Sequence, residues 1–158
     1  IRKILKTYKE FNPVIGGTTS LYLQGCNLRE PNDIDIFFPI TKSEFLDKVH
    51  SSHINIPDTI NSLDWGFFPN VNYRVVLING IPCQRVDDIL TYKEEYEDVC
   101  PGGNCAKHNR DIVFLKKWLR DKSISELSKV KHDLENSDDA TKESFNKVVK
   151  YLSTKYSC

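Results

Sequence analysis

Along the chain the apolar residues switch between helical and strand spacing. In residues 1–11 (IRKILKTYKEF), Ile1, Leu5 and Tyr8 share one helical face, with Ile4 and Phe11 beside it. Asn12-Pro13 closes that helix, because the residue before a proline is pushed out of the α region. Val14-Ile15 reads as a short buried strand entering Gly16-Gly17. Residues 18–25 predict a second helix with Leu21 inward, capped by Thr18 or Thr19 and stopped by Gly25. Residues 33–38 (DIDIFF) predict a strand ended by Pro39, with Asp33, Asp35 and Phe37 on one face and Ile34, Ile36 and Phe38 on the other. Thr41-x-x-Glu44 is a capping box opening a helix that carries Phe45, Leu46 and Val49 to about His50.

Residues 60–68 (INSLDWGFF) and 73–79 (YRVVLIN) predict two strands joined by a short Pro-Asn turn, and Gly80-Ile81-Pro82 leads to a short edge segment around Cys83 and Gln84. From Val86 the spacing is helical, with Val86, Ile89 and Leu90 sharing a face with Tyr96. Residues 100–105 (CPGGNC) are a loop by composition. Ile112, Leu115, Trp118 and Leu119 stripe a strong helix over about residues 107–121. Residues 136–140 break the chain, and a last helix turns Phe145, Val148, Val149 and Leu152 inward. Strands cluster before residue 85 and helices follow. The expectation is therefore an α+β fold, a small mixed or antiparallel sheet packed on helices with a helical C-terminal segment. We read one domain over 1–158, its sheet core over about 1–99 and its helical part over about 106–158.

Composition narrows this picture. The 158 residues suit one domain with a proper core. Lys plus Arg and Asp plus Glu each number 22, so no global field draws the chain to nucleic acid or anionic lipid, although a local basic groove remains open. A small basic patch at Lys116-Lys117 and Arg120-Asp121-Lys122 could meet nucleic acid, with a solvated face as its plainer reading. No apolar run approaches the ~20 residues of a bilayer span. No signal peptide is visible; the chain opens on Ile1 and contains no Met, which leaves room for a preceding targeting segment. Five cysteines lack the dense spacing of a secreted scaffold and read as mostly reduced thiols of a cytoplasmic protein.

Candidate chemistry gathers in residues 12–39 (NPVIGGTTSLYLQGCNLREPNDIDIFFP). Two carboxylates at i and i+2 of a strand project from one face with Cβ atoms about 7 Å apart. Asp33 and Asp35 can therefore share one divalent ion, or hold two ions ~3.5–4 Å apart. Mg²⁺ takes one or two protein carboxylates together with the phosphates of a substrate. Gly16, Gly17 and Thr18 offer bare backbone N–H groups and a hydroxyl to a triphosphate. An Asp-x-Asp or a Gly-Gly alone is a common accident of strands and turns. Strand, Gly-Gly-Thr, helix, loop and then Asp-Ile-Asp strand form a far more specific order.

On those motifs the chain resembles the DNA polymerase beta-type nucleotidyltransferase superfamily, and within it the small bacterial and phage-defence AbiEii-like, minimal nucleotidyltransferase group. The likeness spans roughly residues 12–120, with its specific part in 16–38. It implies a nucleotidyltransferase-like fold with metal-binding and catalytic Asp33 and Asp35, Mg²⁺ or Mn²⁺ as cofactor, and Gly16, Gly17 and Thr18 on the phosphates of a nucleoside triphosphate such as ATP. Arg29, with Pro31 where the group has Ser, would orient an Asp or touch a phosphate. Lys93 falls where the group keeps a helical lysine, and Arg110-Asp111 falls on its later Lys-Asp. The acceptor would be an RNA end, a protein hydroxyl or a small molecule, and a role as toxin-side enzyme of a defence system is implied as well. The small size suggests that a homodimer or a partner chain completes the cleft.

The superfamily also presents a third carboxylate from a neighbouring strand, which completes the metal cage and acts as base. The strand expected to carry it, residues 73–79, has no Asp or Glu, and Asp64 and Asp58 are the nearest substitutes, neither at the expected place. Phe114 stands near the second acid of the late helix. These departures keep open a catalytically inactive nucleotide-binding or protein-interaction module. Cys100, Cys105 and His108 raise a third reading, a zinc-stabilised binding domain, although structural zinc takes four ligands. A Cys100–Cys105 disulfide or a plain Pro-Gly-Gly loop are the other readings of that stretch. No Gly-x-Ser-x-Gly elbow, P-loop or dinucleotide fingerprint occurs.

Overall fold

A computed structural model describes residues 1–51, 63–69, 74–96, 105–134 and 139–155. The chain divides into two compact units, Ile1–Ile89 and Leu90–Cys158. The architecture is α+β, with a mixed five-stranded sheet in the first unit and helices dominating the second.

The predicted first helix is split into α1 (Arg2–Thr7) and a 3₁₀ turn (Lys9–Phe11), ended by Asn12 in the left-handed conformation at φ 49°. Strand β1 (Val14–Ile15) leads into α2 (Gly17–Leu23), and β2 (Ile34–Phe38) is followed by α3 (Lys42–Ser51). Glu44 closes the capping box by accepting from the Thr41 amide at 2.8 Å and hydroxyl at 2.7 Å. These bonds, the backbone one first, hold its carboxyl below the usual value. Then come β3 (Leu63–Phe67), β4 (Val75–Ile78), β5 (Ile81–Gln84) and α4 (Val86–Glu95).

Sheet order is β3-β2-β1-β5-β4. The two strands expected as turn-linked neighbours therefore lie at opposite edges. β3 runs parallel to β2, because Leu63, Trp65 and Phe67 match Ile34, Ile36 and Phe38 in register and face. β4 pairs antiparallel with β5 across Asn79-Gly80, whose φ values of 51° and 77° meet the demand of a two-residue hairpin. The segment around Cys83, expected at an edge, is interior: β5 pairs with β4 on one side and with β1, in parallel, on the other.

One face of the sheet carries the core. Ile15, Ile36, Phe38 and Cys83 are buried there with Tyr8, Phe11 and Phe45. Tyr8 packs edge-on against Trp65 at 5.1 Å, and Phe38 stacks on Trp65 at 5.4 Å. Burial of this kind stabilises by roughly 1.5–3 kcal/mol per large apolar side chain.

In the second unit α5 (Cys105–Leu134) runs well past the predicted helix, and α6 (Asp139–Lys155) follows. Ile112 and Leu115 are buried as expected. Beyond Leu119 no side chain described on α5 or α6 is fully buried. Among the described residues no helix is long and apolar enough to cross a membrane.

Candidate functional site

Alternation along β2 turns Asp35 and Phe37 away from the core, onto the face that α2 covers in part. Antiparallel pairing of β1 with β2 sets Gly16 beside Asp35, and the Gly16 amide donates to the Asp35 carbonyl at 2.9 Å. Gly17 then takes φ 50°, a left-handed conformation that glycine adopts at little cost. A Cβ built on Gly17 would collide with the Asp35 carboxylate, its Cγ lying 2.6 Å away. Both demands select glycine, and together they press the turn directly against the acid.

Asp33 stands just before β2, half-buried, and its carbonyl accepts from the Thr19 hydroxyl at 2.7 Å, which ties α2 to the strand entrance. Ser20 and Gln24 fasten the other side of α2, donating to the Gln84 carbonyl at 2.6 and 2.8 Å. Arg29 comes back over the turn, and its guanidinium donates to the Thr18 hydroxyl at 3.2 Å. Glycine turn, Thr18, Arg29, Asp33 and Asp35 are thus brought together. One detail differs from expectation: the Gly16 N–H is not a bare amide, since it already donates to the Asp35 carbonyl.

The strand neighbouring β2 is β3, and Asp64 sits on it in direct register with Asp35. The expected strand for a third acid was residues 73–79, with Asp64 out of place; the parallel pairing of β3 puts Asp64 on the strand next to β2. A signal was present in the chain, since Ile34-Asp35-Ile36-Phe37-Phe38 and Leu63-Asp64-Trp65-Gly66-Phe67 share one pattern of apolar residue, Asp, apolar residue and final Phe. In-register residues of adjacent strands face the same side with Cα atoms about 5 Å apart. Like charges so placed repel. Hard oxygen donors of this kind suit Mg²⁺ or Mn²⁺. Among the described residues no three Asp, Glu, His or Cys side chains converge on one metal position. A divalent ion at this face could find one or two protein carboxylates.

Lys93 belongs to the second unit. Its ammonium pairs with Asp111 at 3.0 Å, both groups largely buried. His108 Nε2 donates to the Lys93 carbonyl at 2.6 Å, which fixes the proton on that nitrogen, since a carbonyl can only accept. Arg110, the neighbour of Asp111, is exposed.

Cys26 and Cys83 are buried thiols outside any disulfide. Burial pushes the Cys83 thiol up, with a hydrogen bond from Ser20 opposing. Cys105 is disulfide-bonded. A disulfide was one of the readings of this stretch, and it removes the zinc reading, because an oxidised sulfur is no thiolate ligand. Cys100 and the rest of its loop lie outside the described residues, as does Asp58.

No family model, no curated protein and no solved structure matches this chain.

Proposed function

We propose that the chain is a Mg²⁺-dependent nucleotidyltransferase: an acceptor hydroxyl attacks the α-phosphorus of a nucleoside triphosphate, the α–β phosphoanhydride bond breaks, and pyrophosphate leaves. The observation that carries this reading is the meeting of three strands' features on one face: the Gly16-Gly17 turn against Asp35, and Asp64 opposite Asp35. Adjacent carboxylates favour a divalent cation beside them. Mg²⁺ would supply charge neutralisation of the phosphates. Asp33 and Asp35 would hold the ion, and the Gly17 and Thr18 amides would orient the phosphate chain. Arg29 steadies Thr18 and adds positive charge to the turn. Asp64, exposed and in register with Asp35, would accept the proton of the incoming hydroxyl.

A second reading, an inactive nucleotide-binding module, draws support from the absence of three converging ligands among the described residues. Calorimetry with each triphosphate, with and without Mg²⁺, tests the binding step common to both. We expect Mg²⁺-dependent binding, lost in Asp33→Ala/Asp35→Ala. Binding that survives the double substitution, or needs no metal, overturns the placement of the site. Transfer of labelled nucleotide that requires Asp64 separates enzyme from binding module.

A further inference from the structure

Two half-buried aromatic rings share the sheet face of the acids. Phe37 lies two residues beyond Asp35 on β2, and Phe68 lies four beyond Asp64, just past β3. The Phe37 ring reaches over glycines on both flanking strands. A Cβ on Gly16 would stand 2.7 Å from Phe37 Cδ2, and one on Gly66 would stand 2.7 Å from Phe37 Cδ1. Opposite edges of the ring thus occupy the places of two missing side chains, and the ring lies across the sheet from β1 to β3. Phe68 meets it edge-on at 5.1 Å and 79°. On the core face the corresponding Phe38 is fully buried; Phe37 and Phe68 keep part of their surface open.

The strip formed by β2 and β3 is therefore acidic at one end and aromatic at the other. Strand rise puts Phe37 about 7 Å from Asp35, and Phe68 about 13 Å from Asp64. That spacing leaves room for a sugar between a metal-bound phosphate and a ring stacked on phenylalanine. Neither ring offers a hydrogen bond that would read a base edge.

Resting on the nucleotide reading of the acidic end, we propose that Phe37, braced by Phe68, is the stacking surface for the base of the donor nucleotide. The surface reads aromatic area, so purine triphosphates bind modestly tighter than pyrimidine triphosphates. Stacking of one base on an aromatic side chain is worth about ten- to a hundredfold in affinity.

The test compares Mg²⁺-ATP with Mg²⁺-tripolyphosphate, which has the phosphates and no base. Calorimetry is run on the whole chain, and on Phe37→Leu and Phe68→Leu, with thermal melting as a check of folding. We expect the unmodified protein to bind ATP about tenfold or more tightly than tripolyphosphate. Phe68→Leu should erase most of that margin while tripolyphosphate affinity holds, and Phe68→Tyr should keep it. Phe37→Leu should do the same; Phe68→Leu decides if Phe37→Leu fails to fold. Equal binding of the two ligands by the unmodified protein overturns the inference. So does a margin that survives in Phe68→Leu, or a loss of both ligands together in a folded variant. Binding of neither ligand by the unmodified protein overturns the nucleotide reading itself and the stacking surface with it. Loss of the margin alone leaves the metal and phosphate reading standing.

Discussion

On the core face of the sheet, Phe38 stacks on Trp65 and Phe67 and edges against Tyr8 and Phe11. One residue earlier along the same strand, Phe37 points the other way, half-open, over two glycines and beside two carboxylates. The same backbone thus carries a face made stable by filling every space and a face with like charges, a left-handed glycine and partly exposed rings. The contrast teaches where stability and function separate in this unit. Substitutions on the core face should unfold it, and substitutions on the opposite face should leave it folded but change what it holds.

The largest break in that contrast comes from Phe38→Ala. Removing a fully buried ring should cost about 3–5 kcal/mol in urea unfolding, with binding lost only as far as folding is lost. Next come two glycines with positive φ. Gly25→Ala, at φ 77° with nothing within 4 Å, should carry the dihedral cost alone, about 1–2 kcal/mol. Gly17→Ala adds a collision with Asp35, so it should cost more than Gly25→Ala and also abolish Mg²⁺-dependent binding. Equal effects from the two would mean the Asp35 contact is slack.

Tyr8→Phe tests the core face from the opposite side. The Tyr8 hydroxyl is buried with no hydrogen-bond partner among the described residues, an arrangement that is unfavourable in an apolar core. Its removal should raise stability by about 1 kcal/mol. Burial also lifts the Tyr8 pKa above its ordinary 10.0. Stability tied to the neutral phenol is thus fully present below pH 10.0 and lost as pH rises through the folded-state value. The alkaline fall in melting temperature should be shallower in Tyr8→Phe. Smallest is Asp64→Asn, expected to shift stability by no more than about 0.5 kcal/mol while weakening metal-dependent binding. A loss of several kcal/mol there would make Asp64 a structural residue.

Much of this arrangement could be read from the chain, because period-two and period-3.6 patterns report faces directly. The DIDIFF strand, the Thr41–Glu44 capping box and the buried stripe of α5 all follow from residues a few positions apart. What escaped was pairing at long range. β3 and β4 were each visible as strands, yet their partners depend on register with β2 and β5. The Asn79-Gly80 hairpin signal was there to be used and fixes half of that answer. The Gly16-Gly17 turn and Asp35 were legible together because one short antiparallel pair joins them. Asp64 was seen as an acid on a strand, but its place opposite Asp35 is a property of the sheet. The Lys93–Asp111 pair joins two helices across a stretch of chain that carries no periodic signal.

β1 is two residues long, and a single described rung, Ile15 opposite Cys83, joins it to β5. On one side of that rung lies the block β3-β2-β1; on the other lies the local hairpin of β4 and β5. Two sub-sheets of very different sequence reach therefore share one narrow seam, reinforced by α2 through the bonds of Ser20 and Gln24 to Gln84. Opening of the first unit would begin at that seam. The acids and the glycine turn all lie on the β3-β2-β1 side of that seam.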